Sequence, residues 1–132
     1  MWSGTATPPR IEAQYGDPLA ALDYITVSIR NYHDAGNATL ILNPLAGLAA
    51  LFDRLGRYEP AATIAGFAFD PLTTGEWVPE INTAISYLRT VLGDQTYESL
   101  ARKGETMTTA AMTTYAYDQI DQARAELKAV SK

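Results

Sequence analysis

The sequence predicts an all-α fold of about six helices, packed as antiparallel hairpins in an α-α superhelix. Three observations carry that prediction. Apolar residues recur at steps of three and four along most of the chain, and few stretches alternate with period two. Helix start and stop signals, chiefly Asp-Pro, Thr and Gly, bracket those periodic stretches at short intervals. The stretch RLGRYEPAATIAGFA at 54–68 is rich in Ala and Gly, and small residues on a helix let a neighbouring helix approach closely.

Asp17-Pro18 starts the first helix, because Asp caps well and Pro is favoured at the first helical position. Leu19, Leu22, Ile25, Ile29 and Tyr32 form its stripe, and Gly36 stops it. Asn37 opens the second helical segment, with Ile41, Leu45, Leu48, Ala49, Phe52 and Leu55 inward and Gly56 at its end. Pro44 lacks a backbone donor, so the segment is expected to kink there; the alternative is a helix that begins at Asn43-Pro44. The third helix, 60–69, is apolar nearly all round and is therefore expected to be buried on more than one side. Its Ala content favours helix over the short alternating pattern at 63–69.

Residues 70–75 read as a loop. Pro79 starts the fourth helix, with Ile81, Ile85, Leu88, Val91 and Leu92 inward and Gly93 as its stop. A fifth helix runs from Asp94 to Lys103 with Tyr97, Leu100 and Ala101 inward, and Gly104 is expected to stop it. Thr108 caps the last helix, Met107 and Met112 stand at hydrophobic-staple spacing, and Met112, Tyr115, Ile120, Ala123 and Leu127 make its stripe. Two units result: a flexible leader at 1–15 and one helical domain at 16–132.

Composition narrows the function. The chain has 132 residues, 47% hydrophobic and 19% charged, which is an ordinary globular balance and long enough for one domain. It has no Cys and one His, so thiolate metal sites, Cys nucleophiles and multi-histidine centres are out. The net charge of -5 disfavours direct nucleic-acid binding. No apolar run approaches transmembrane length, and the N-terminus lacks the basic and apolar regions of a secretory signal, so membrane association is not expected and the cytoplasm is the expected location.

Residues 40–69 follow the tetratricopeptide pattern. Leu45, Leu48, Ala49 and Phe52 fill the first-helix places, Gly56 and Tyr58 the turn, and Ala61, Ala65 and Ala68 the second helix. GDPLAALDYITVSI at 16–29 overlays GRYEPAATIAGFAF at 56–69, pairing Gly16 with Gly56, Ala21 with Ala61, Ile25 with Ala65 and Ser28 with Ala68. By this register the helix from Pro18 is expected to be the second member of a hairpin whose first member is missing.

The stretches AGNATLILNPLAGLAALFDRLGRYEPAATIAGFA and VLGDQTYESLARKGETMTTAAMTTYAYDQI resemble the C-terminal helical region of the large LuxR-type regulators and cyclase-linked ATPases of actinobacteria. In that family an ATPase module precedes a tetratricopeptide-like array, and some members end in a helix-turn-helix DNA-binding domain. The resemblance spans roughly residues 16–120 and implies a sensor or interaction array in signalling. It brings no catalytic or binding residue with it: no GxxxxGK[ST] phosphate loop is present in these 132 residues, and none of them is expected to form a DNA-binding domain.

Other constellations read as ordinary structure. His33 and Asp34 are helix neighbours that point about a hundred degrees apart, so they do not form a base and its orienting acid. Asp70, Glu76 and Glu80 lack a cation-loop spacing. Asp53–Arg57 and Glu98–Arg102 stand at i,i+4 and are expected to pair on the surface. The expectation is a non-catalytic interaction module without cofactor or metal. Leu19, Leu22, Ile25 and Ile29 would be left partly uncovered, and with Tyr24 and Tyr117 they would form a surface for a protein partner or for homodimerisation. A small-molecule effector domain is the competing expectation, and a small all-α enzyme the third.

Overall fold

A computed structural model describes residues 17–70 and 78–130. The expected leader at 1–15, Gly16 and most of the expected loop lie outside the described residues. The fold is all-α, with six helices and no strand among the described residues: α1 Pro18–Asp34, α2 Leu42–Arg54, α3 Tyr58–Ala68, α4 Glu80–Leu92, α5 Asp94–Glu105 and α6 Thr109–Val130.

Helix starts follow local chemistry. The Asp17 carboxylate accepts from the Leu19 amide at 3.0 Å, and Pro18 occupies the first turn, where its missing donor is not needed. Before α2, the Asn37 side chain accepts from the Leu40 amide at 2.9 Å and opens one tight turn that runs into the helix. Pro44 is the third residue of α2, so the expected kink is absent. A proline there needs no i−4 acceptor, and the Leu40 carbonyl accepts from Asn43 at 3.1 Å instead. Pro60 takes the same third position in α3, which therefore begins at Tyr58, two residues before the expected start. At α6 the Thr108 hydroxyl accepts from the Ala111 amide at 3.0 Å, the cap read from the sequence.

α3 is the central rod. It packs on α2, α4, α5 and α6, and Ala61, Ala62, Thr63, Ile64, Ala65 and Ala68 are all buried. Such all-round burial suits a helix of small apolar residues. α2 and α3 form the expected hairpin: Leu45, Leu48, Ala49 and Phe52 are buried and Gly56 makes the turn at φ 79°. α3 and α5 run antiparallel, with Thr63 opposite Gly104 and Gly66 opposite Ala101. Gly104 is thus no stop signal; it lies within α5, buried, against the backbone of α3.

A single residue, Gly93, joins α4 to α5. Its φ of 87° turns the chain sharply. The corner is tied by Arg89, which reaches Asp94 at 3.2 Å and Glu98 at 2.5 Å and lies 4.6 Å over the Tyr97 ring. Glu98 is therefore engaged with Arg89, across helices, where the sequence suggested Arg102.

The last helix returns to the first. α6 packs on α1 and also touches α3. Arg124 pairs with Asp23 at 2.5 Å and lies 3.4 Å from the Thr26 hydroxyl. An open solenoid, in which each unit touches only its neighbours, does not bring its outer helices together in this way.

Candidate interaction surface

Packing on α1 reverses the expectation of an uncovered stripe. Leu22, Ile25 and Ile29 are buried and Leu19 is half-buried, because α2 and α6 both lie against this helix. The role expected of a missing partner helix is filled from within the chain by α6, on which Met112, Ala116, Ile120 and Ala123 are buried. Tyr117 is half-buried and packs at the edge of that core. Of the six residues proposed for a contact surface, Tyr24 alone is exposed, at 51%.

Tyr24 has an exposed neighbour outside the main stripe. Val27, at 50% exposure, stands three residues on, so the two share the face of α1 turned away from the core. The signal was available in the sequence: Ala20, Tyr24 and Val27 make a second apolar line on α1, opposite Leu22 and Ile29.

A second exposed group lies on α4. Tyr87 and Val91, one turn apart, are 49% and 41% exposed. Val91 was expected inward; Ala84 takes the buried place, with Ile81 and Leu88. The Tyr87 ring lies 6.0 Å from that of Tyr58 at 59°, and the nearby Tyr87 hydroxyl is the main cause that raises the Tyr58 pKa. Asp53, in the last turn of α2, acts on Tyr58 electrostatically in the same direction.

The Asp53 carboxyl is itself unusual. Burial pushes its pKa up to about 6, against the opposing charge of Arg54. One carboxyl oxygen is buried with no hydrogen-bond partner, and the carbonyl end of α2 further disfavours a negative charge there. The expected Asp53–Arg57 pair does not form. Arg57 pairs with Glu126 of α6 at 2.7 Å, and its guanidinium stands 5.8 Å from the Phe52 ring centroid.

A cleft of about 280 Å³ opens between the end of α1, the following turn and the start of α6. Tyr32, His33, Asn37, Ile41 and Thr109 line it. Thr109 and His33 line the same cleft, while Arg124 meets Asp23 near the other end of α1, so α1 and α6 are antiparallel. Among the described residues no three His, Asp or Glu side chains converge to hold a metal ion, and no helix is long and apolar enough to cross a membrane. No family model, curated protein or solved structure matches the chain.

Proposed function

We propose that this chain is a non-catalytic module of helical hairpins that binds a protein partner or a second copy of itself, comparable in role to the C-terminal array of LuxR-type regulators. The observation that supports this reading is the outer face of α1. Tyr24 and Val27 stand exposed on a helix whose opposite face is locked by α2 and α6. A rigid helix with an aromatic and a β-branched residue turned outward presents contact area with little entropy to lose on binding. Sedimentation equilibrium of the wild-type chain and of Tyr24→Ser/Val27→Ser tests it. Concentration-dependent association that disappears in the double variant is expected. A wild-type chain that stays monomeric up to millimolar concentration removes the self-association branch.

The cleft beside His33 supports a second reading, an effector-binding domain. Its volume lies just below the usual range for small-molecule sites. A ligand there would bridge α1 to α6 and raise the melting temperature in proportion to its saturation.

A further inference from the structure

The edge formed by the end of α2, the start of α3 and the outer face of α4 has a different chemistry from the α1 face. Three features meet there, and each attracts positive charge. Asp53 contributes a half-buried carboxylate: one oxygen is buried without a hydrogen-bond partner, and the group as a whole still reaches the surface. The last carbonyls of α2 carry the negative end of the helix dipole. Tyr58 and Tyr87 offer tilted rings 6.0 Å apart, and the face of an aromatic ring attracts a cation. Val91, one turn beyond Tyr87, adds exposed apolar surface for an aliphatic stem.

We propose that Asp53, Tyr58 and Tyr87 form a receiving site for a cationic side chain, arginine or lysine, presented by a protein partner. The inference deepens the interaction-module reading and rests on it. Among the described residues, the nearby Arg57 is engaged elsewhere. Arg57 is held by Glu126 on α6 and lies against Phe52. Arg54 is a neighbour on α2 whose charge leaves the Asp53 pKa still raised. The chain carries a net charge of -5, which favours a basic partner over an acidic one. The groups that face Asp53 and set its response to pH are Arg54 on its own helix and Tyr58 on α3, with Tyr87 of α4 joined through the tyrosine pair.

The test is a titration of the full chain, labelled with nitrogen-15, with N-acetyl-arginine methylamide at pH 7. The expected result is saturable shifts confined to the amides of 53–58 and 87–91. Asp53→Asn should weaken binding about tenfold and Tyr87→Ala about threefold. Binding should also weaken at pH 5, where Asp53 holds its proton. N-acetyl-norleucine methylamide, which keeps the stem and lacks the charge, should produce no such shifts.

Absence of saturable shifts, or shifts that persist undiminished in Asp53→Asn, overturns the site. Spermidine binding as tightly as the blocked arginine overturns the assignment to a protein side chain. If the arginine probe fails while association through Tyr24 and Val27 persists, this site falls alone. If the probe binds and that association is absent, the self-association branch of the functional reading falls and the site stands.

Discussion

Gly66 of α3 and Gly104 of α5 are reciprocal notches: each accepts the backbone of the other's helix. A Cβ on Gly66 would overlap the Ala101 carbonyl, and a Cβ on Gly104 would overlap the Thr63 carbonyl. The two helices therefore meet backbone to backbone, and no rotamer change can make room. Replacing either glycine with alanine should destabilise the protein by about 3 kcal/mol, the upper part of the range for overpacking. Gly47 is the internal control. It lies within α2 with open space around its Cα, so Gly47→Ala should stabilise by about 0.5–1 kcal/mol. Urea denaturation of the three variants reads both signs.

Asp53 makes stability depend on pH in a direction opposite to that of most carboxylates. Its folded pKa of about 6 stands above the ordinary 3.8, so between these values the folded chain binds the proton and the unfolded chain releases it. Its contribution is then most favourable at low pH and is lost as pH rises from about 4 through about 6. Asp53→Asn should be more stable than wild type at neutral pH and should lack this component. Thermal melts across that interval check it; a wild type and variant with parallel pH profiles would contradict it.

The Arg57–Glu126 pair should be asymmetric. Glu126 is 72% exposed and Arg57 only 14%. Glu126→Ala should cost well under 1 kcal/mol and the loss should shrink in salt. Arg57→Ala should cost about 1–2 kcal/mol, because it also removes the stem and guanidinium that cover Phe52. The difference should survive molar salt.

Thr108→Ala should cost about 1 kcal/mol through the lost cap of α6. Thr114, exposed within the same helix, should tolerate alanine with no loss. Chemical denaturation of this pair separates capping from threonine content.

Periodicity and punctuation made the helices legible. Asp17-Pro18, Thr108, Gly56 and Gly93 act locally, within a residue or two of where they stand, and their effects follow from the chain alone. Gly104 shows where that reading stops. A glycine near a helix end carries the same local signature whether it ends the helix or admits a neighbour, and only the path of α3 decides between them. The α1 stripe failed for the same reason. Leu22, Ile25 and Ile29 form a stripe expected to stay partly uncovered, but α2 and α6 cover it, α6 lying about a hundred residues away, and no periodicity reports that pairing. Asp53 and Arg57 likewise satisfy the spacing rule for a pair, yet Arg57 had a better-placed acid on another helix. Of the candidate surface, Tyr24 was legible as an aromatic off the main stripe. Its neighbour Val27 and the meeting of Tyr58 with Tyr87 depend on exposure and on helix crossing.

The embrace of α1 by α6 sets a condition on biogenesis. A stack of independent repeats can consolidate from its leading end while the remainder is still being synthesised. Here the buried stripe of α1 cannot leave water fully until α6 has emerged and turned back, so a nascent chain cut short of that point would be held open, a ready client for chaperones and proteases.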